Sequence, residues 1–526
     1  MPHKTYDVVI VGSGISSLVC AAELAIKGRR VLVLERESAI GGCMRTEELT
    51  LPGFRHDVFA MSLPLFTTAA HYPSLGPELA KHGFELAEPA CPTAVMTSDG
   101  RALKLSRSRE ENIAAFETLA AGDGEAFRRA MVDITENSEL IFGLLGGEPA
   151  SASTLRLLGA QLFHRKAAGL ARFSGEALQS MRQWLQREFR SDLVQALFAP
   201  WILHTGLAPE ATLSALMGKL ILFTLEGAGD PFVRGGIGNL VTAFRSLIES
   251  RGGEILTNAD VSQIVVERGA ASAVRTSDGS VYAARSAVIC NVTPTQLYGR
   301  LLPEDATPPA TTAMARAYAY GLGGMQIHVA LSEPPRWSDE RLADVGLVHV
   351  TPGLDGVSRA VNEAERGLLP AEATIVVGQP AAADPSRCPP GKSLLWIQLQ
   401  ELPRHVRGDA SGVLQAPPDG RWTDELREAY AARILKRLGG HILNLESATL
   451  AVTALSPADL ERRNINLVGG DPYSGACSLN QFHLFRPFGS LRNHATPVKR
   501  LFHIGASSHP GPGLSGMSGH MVAARL

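Results

Sequence analysis

Residues 6–11 (Tyr-Asp-Val-Val-Ile-Val) form a continuous apolar run of strand length, and Gly12-Ser13-Gly14 breaks it at once. A strand that is apolar on both faces belongs inside a parallel sheet covered on both sides. After the glycines, Ile15, Leu18, Val19 and Ala22 fall at the spacing of one helical face, and Gly28 marks the expected stop. A second apolar run, 31–34, follows and ends on Glu35. The series predicts a strand–helix–strand unit and with it an α/β fold class. It also predicts an anion site. Gly12 and Gly14 let the backbone turn tightly, and the amides of Ser13, Ile15, Ser16 and Ser17 open a helix whose positive end suits a pyrophosphate. Ser17 stands where a third glycine is usual and is small enough for close packing of helix on strand. Glu35 comes 21 residues after Gly14, where a carboxylate accepts from a ribose hydroxyl. An acid there argues against a 2′-phosphate, and Arg36 beside it pulls the other way.

Composition narrows the partners. Fifty Lys and Arg against 52 Asp and Glu leave a net charge of −2, so no basic field draws in nucleic acid. The six cysteines are scattered without a Cys-x-x-Cys pair, and neither a metal site nor a disulfide framework is expected. No secretion-type leader is visible, and no apolar stretch approaches the ~20 residues of a bilayer span. A cytoplasmic protein is expected. At 526 residues there is room for about three domain-sized units. Residues 76–230 read as mostly helical, with runs at 110–121 and 175–189. Strand-like runs follow at 254–256, 261–267, 272–276 and 287–289, with a hairpin turn at 277–280. The segment 301–444 mixes strands near 325–331 and 394–399 with a helix near 424–438. A strand at 501–504 runs into Gly505, a Gly/Pro-rich turn and a last helix from about Ser515.

Just after the second strand, Gly41 and Gly42 allow close approach to a diphosphate, and Arg45 can pair with it or with a ring edge. Together with Pro52–Asp57, these residues resemble the N-terminal block of the phytoene desaturase-like FAD-dependent oxidoreductases. That group includes carotenoid desaturases, carotenoid ketolases and retinol saturase-like proteins, and shares a fold with amine oxidases and Rab GDP-dissociation inhibitors. Gly235–Leu240, Asn258–Val261 and Cys290-Asn291 resemble its central block, and Ser456–Glu461, Gln481-Phe482, Arg486-Pro487 and Gly505–Gly516 its C-terminal one. The resemblance implies FAD as the cofactor and a Rossmann-like FAD-binding domain of amine-oxidase type beside a mixed α+β substrate domain. It implies that Val261 holds the adenine side through its backbone, and that Gly505, Ala506, Gly513, Leu514, Ser515 and Gly516 meet the flavin. A glycine-rich entry to a helix there would favour negative charge on a reduced ring. Gly235–Gly238 lacks an apolar strand before it, so a second nucleotide site is not expected. The expected division is discontinuous: 1–75, 231–300 and 445–526 form the FAD domain, and 76–230 with 301–444 the substrate domain.

Side chains that move protons are harder to read, because a flavin carries the redox step and the protein supplies orientation and a dry pocket. His509, inside the flavin motif, is a candidate, and so are His56, Asp57, His483 and Arg486. Cys43 reads as a small buried thiol. Residues 160–190 carry six cations against Glu176 and Glu188, interleaved with Leu162, Phe163, Leu170, Phe173, Trp184, Leu185 and Phe189. Such a run suits a solvated helical face with its apolar side on the core before it suits peripheral contact with an anionic membrane. The expected activity is dehydrogenation of a lipophilic, isoprenoid- or carotenoid-like substrate by hydride transfer to flavin N5, with oxygen, a quinone or another acceptor reoxidising the flavin. Two alternatives stand beside it: an amine or heterocycle oxidase, and a non-catalytic lipid-binding module like the GDP-dissociation inhibitors.

Overall fold

The computed structural model describes residues 4–489 and 493–526. Residues 1–3 and 490–492, inside the segments expected to form the FAD domain, lie outside the described residues. Two seven-stranded sheets organise the chain. In the first, the strand Lys4–Val11 runs parallel between Val31–Leu34 and Val281–Cys290, with Glu254–Leu256 beyond the former. Val281–Cys290 takes the hairpin Val261–Glu267 and Ala270–Thr276 along its opening residues and Leu501–His503 along its closing ones. Val11 therefore lies beside Leu34 and Cys290, and Cys290 beside His503. The residues that follow (Gly12, Glu35, Asn291 and Gly505) gather along one edge of the sheet, at its carboxyl ends. Ligands of open α/β sheets bind at that edge.

The first helix, Ile15–Ile26, is buried nearly all round, because Gly238–Ser250 and the last helix, Met517–Ala523, both pack on it. Contact with the last helix is close: a Cβ on Gly519 would collide with the Ser16 carbonyl. Ser518 Oγ donates to Ser16 Oγ (2.9 Å) and accepts from the Gly505 amide (2.9 Å), tying the late glycine turn to the early helix.

The second sheet runs in the order Thr449–Leu455, Gly323–Leu331, Ser393–Leu402, Ile375–Gly378, Val345–Thr351, Cys91–Thr97, Ala102–Leu105. One face, with Ile327, Val329, Leu395 and Ile397, packs against the helix Asp424–Gly439 through Tyr430 and Ile434. The other carries Gln326, Trp396, Gln398 and Gln400 toward the first sheet, as the alternation of strand side chains requires.

Two expectations change. Residues 449–455, assigned above to the FAD domain, pair with Gly323–Leu331 and so belong to the second sheet. The expected helix 175–189 is two. One ends at Ala177, and Ser180 opens Met181–Glu188 with its hydroxyl on the Gln183 amide and the Gln183 side chain on its own, a reciprocal cap that apolar spacing does not reveal.

Candidate functional site

A cavity of about 1070 Å³ lies between the carboxyl edge of the first sheet and the inner face of the second. That is at the upper end of the roughly 300–1,000 Å³ usual for small-molecule sites, and leaves room for a dinucleotide and a second molecule. Gly12, Ser13, Gly14, Ile15, Ser16, Glu35, Arg36, Gly42, Arg45 and Val261 line it from the first sheet. Gly505, Ala506, Gly513, Leu514 and Ser515 line it from the C-terminal segment.

Asn291 explains three of these glycines. A Cβ on Gly12 would lie 2.9 Å from the Asn291 carbonyl oxygen, and one on Gly14 3.0 Å from its Nδ2. A Cβ on Gly505 would strike its Oδ1. Asn291 also donates from Nδ2 to Ser17 Oγ (3.0 Å), which holds Ser17 behind the cavity wall rather than on it. No side chain caps the first helix, whose N-cap is Gly14; the Ser17 amide donates to the Gly14 carbonyl (2.8 Å), and the amides of Ile15 and Ser16, which line the cavity, are those left for an anion.

Glu35 stands one strand away. Its Oε2 accepts from the Ser13 amide (3.1 Å) and Ser13 Oγ (2.5 Å), and its Oε1 from the Glu37 amide (2.9 Å). The Ser13 amide is thus taken by Glu35 and is not one of the free anion donors. Gly41 lies off the cavity and fixes this corner by donating from its amide to Ser13 Oγ (3.0 Å). Gly516, also off the cavity, begins the last helix at φ +73, where a Cβ would meet Val19. Arg36 is turned to Glu37 (3.2 Å) and Arg45 to Glu47 (2.8 Å). Cys43 lines the cavity as a thiol, its ionisation pushed up to about 11 by burial.

Of the five proton-transfer candidates only His483 lines the cavity, against Phe482 with ring centroids 4.0 Å apart. Burial pushes its imidazole down to about 3, so it sits there neutral. The other four are corrected by their contacts. His509 turns away from the cavity: its Nε2 is 2.9 Å from the Gly147 carbonyl, and His494 Nε2 lies 2.8 Å from its own carbonyl. Arg486 donates to the carbonyls of Ala506 (2.6 Å), Tyr473 (2.7 Å) and Ala476 (3.1 Å), shaping the loop that carries Gly505 and Ala506. Asp57 forms a fully buried ion pair with Arg387 (2.8 Å) and accepts from Thr46 Oγ1 (2.7 Å) and the Ile237 amide (2.8 Å). It pins the Gly235–Gly238 turn, which accordingly serves packing. His56 meets Thr50 Oγ1 at 2.8 Å and the edge of His328, and burial with Arg387 nearby holds it down to about 3.

The substrate side of the cavity has two kinds of wall. Leu65, Phe142, Leu145, Met217, Leu220 and Ile221 make one apolar. The sheet face makes the other, with Gln326 and Gln398 directly opposite one another and Gln400 nearby. Gln326 Oε1 and Gln400 Oε1 find no partner, nor does Trp201 Nε1. Asp230 also reaches the cavity. These side chains went unread because a single glutamine or aspartate in a strand or loop carries no periodic signal; only the register brings them together.

Known proteins share this fold. A family model described as flavin containing amine oxidoreductase matches residues 15–511. The chain is 26% identical to pyridine nucleotide-disulfide oxidoreductase domain-containing protein 2 of Mus musculus over 98% of this chain and 92% of the relative. It is 24% identical to one of the limonene dehydrogenase subunits of Castellaniella defragrans, over 97% and 92%. It is 26% identical to a zeta-carotene-forming phytoene desaturase of Myxococcus xanthus, over 99% and 92%. Among solved structures, an oxidoreductase from Methanosarcina mazei superposes with a TM-score of 0.62 at 16% identity, covering 99% of this chain and 100% of that one. Putrescine oxidase bound to putrescine superposes at 0.60 and 17%, covering 100% and 99%. The glycine cradle, the uncapped helix and the acid at the second strand's end fit FAD, in keeping with a family described as flavin containing.

Proposed function

The chain belongs to the flavin containing amine oxidoreductase family and is an FAD-dependent oxidoreductase, and from that premise we propose that it dehydrogenates an apolar, isoprenoid-like substrate at a carbon–hydrogen bond. One observation carries the reading: the glycine cradle and a chamber walled by Leu65, Phe142, Leu145, Met217, Leu220 and Ile221 are parts of one continuous cavity. An apolar molecule entering it leaves water and gains about 25 cal/mol per Å² of apolar surface buried. Bound FAD supplies the hydride acceptor; the chain's own residues position and dry the site. In this reading the uncapped start of Ile15–Ile26 holds the diphosphate, Glu35 the ribose hydroxyls, and Gly505 to Ser515 the flavin end. The limonene dehydrogenase and phytoene desaturase likenesses support an isoprenoid skeleton over a polyamine.

The substrate's route belongs to the same proposal. Phe142 and Leu145 of the cavity wall lie on Ser138–Gly146, which packs on the helical segment Ala152–Ala177, and the latter exposes a row of large apolar side chains. We propose that this segment rests on an anionic lipid surface and admits substrate from it. Anaerobic titration of the yellow holoprotein tests the reaction: limonene or phytoene is expected to bleach the flavin band, whereas putrescine is not. Bleaching by putrescine alone would move the chain to the amine oxidases proper.

A further inference from the structure

Behind the turn that carries Gly513, Leu514 and Ser515 to the cavity stands a histidine that the proposed chemistry leaves unused. His71 is 1% exposed and does not itself line the cavity. It immediately precedes the helix Tyr72–Ala80, and its carbonyl accepts from the Leu75 amide (2.9 Å), which fixes its backbone. Its ring packs on Phe66, with centroids 5.4 Å apart, and on His520, 5.5 Å apart; His520 Nδ1 in turn lies 2.8 Å from Glu23 Oε1. His71 Nε2 is 2.7 Å from the Ser515 carbonyl oxygen, and its Nδ1 is buried without a partner. A carbonyl only accepts, so Nε2 carries the hydrogen and donates it, and Nδ1 is a bare lone pair. Burial pushes the imidazole below its ordinary value, in keeping with a neutral ring.

This bond decides which way a peptide faces. Ser515 lines the cavity, yet its carbonyl is directed at a residue behind the wall. Among the described residues, the amides of Gly513, Leu514 and Ser515 donate to no protein acceptor, so this stretch of wall offers donors while the carbonyl that follows them is held back. We infer that His71 is a positioning residue for the flavin end of the site: by holding the Ser515 carbonyl out of the cavity it keeps the turn favourable to negative charge, and so makes bound flavin easier to reduce. The inference rests on the function proposed above only in placing the flavin end at this turn. Donors fixed in advance stabilise charge that develops beside them without reorganising when it appears. A carbonyl released into the cavity would set its negative end against that charge.

The midpoint potential of the bound flavin and the dissociation constant of oxidised FAD, measured on the holoprotein, test this. His71→Phe keeps a ring and removes the donor; His71→Gln puts an amide Nε2 where the imidazole Nε2 stood. His71→Phe is expected to bind reduced FAD, relative to oxidised FAD, at least about tenfold less tightly than the wild type does, a fall of about 30 mV for a two-electron couple. Its dissociation constant for oxidised FAD is expected to change by less than about threefold, because the pinned carbonyl matters chiefly once charge develops. His71→Gln is expected to keep the wild-type potential. Should His71→Phe fail to fold, as its thermal midpoint would reveal, His71→Met removes the donor with a more adaptable side chain and is expected to show the same fall. A potential unchanged in the variant without a donor, or lowered equally in His71→Gln, overturns the inference, since the ring then only fills space. If neither His71→Phe nor His71→Met holds FAD, uptake by His71→Gln supports the role of the donor, and its failure overturns it. The substrate reading fails by a different sign, a wild-type flavin band that limonene and phytoene leave unbleached, and these potentials stand whichever way that falls.

Discussion

Asn291 shows what one residue can demand of others far away in the chain. It lies immediately after Cys290, and its carbonyl and amide occupy the space that side chains at 12, 14 and 505 would need. The glycines at 12 and 14 were legible from their place between strand and helix. The residue that makes them obligatory was not, because nothing in the local sequence shows that three separate turns meet there. The same limit applies to His509: it sits among the C-terminal glycines expected to meet the flavin, yet its ring is buried off the cavity against the Gly147 carbonyl. Gly505→Ala puts a methyl onto Asn291 Oδ1 at φ +101, a region that side chains rarely adopt. Its bound flavin per protein, read from the visible-to-ultraviolet absorbance ratio, is expected to fall at least tenfold after dialysis. Asn291→Ala in the same chain should restore part of it, since only the collision is relieved and the backbone strain remains. Full occupancy in the Gly505→Ala protein would show that the close approach is not needed.

At the scale of elements, the strands of the first sheet and the long helix Asp424–Gly439 were readable because burial on both faces, or on one, writes a period into the sequence. The segment 160–190 was ambiguous for a reason the structure makes plain: it spans two environments. Trp184, Leu185 and Phe189 are core, and Arg182 and Arg187 are engaged by Glu210, Asp355 and Glu188. Earlier, Leu155 is 72% exposed, Leu162 50% and Phe163 82%, on a helical segment that breaks at Lys166. Arg156, Lys166 and Arg172 are exposed along it. Apolar side chains at positions i, i+7 and i+8, with Arg156 between them and Lys166 and Arg172 following, suit an interface that is oily below and anionic above. Sedimentation with vesicles containing phosphatidylglycerol is expected to carry the wild type down, neutral phosphatidylcholine vesicles much less of it. Leu162→Glu with Phe163→Glu should abolish the difference without changing the thermal midpoint, as both side chains already face outward. Equal sedimentation of wild type and double variant would exclude this helix as the contact.

For the whole molecule, the junction of the two sheets is where polar groups are forced indoors, and its pH response follows from their signs. His56, His328, His349, His503 and His509 are buried. Burial holds His56 down to about 3, His503 and His509 to about 4, and His328 and His349 well below the ordinary value. Unfolded, each titrates near 6.5, so as the pH falls below that value the unfolded chain takes up protons that the folded chain refuses, and stability is lost. Asp230, Glu401 and Asp471 act in the opposite sense, because burial raises their carboxyls and the folded state protonates first. The histidines held neutral outnumber these acids, so the net effect is a loss of stability as the pH falls below about 6.5. The thermal midpoint, followed at fixed excess FAD so that cofactor linkage is held constant, is expected to drop by several degrees from pH 7.5 to pH 5.5 and more steeply below. His328→Phe and His349→Leu remove two of the refused protons and should flatten the slope. An acid limb equally steep in those variants would mean that the loss comes from broken carboxylate pairs and not from histidines kept neutral between the sheets.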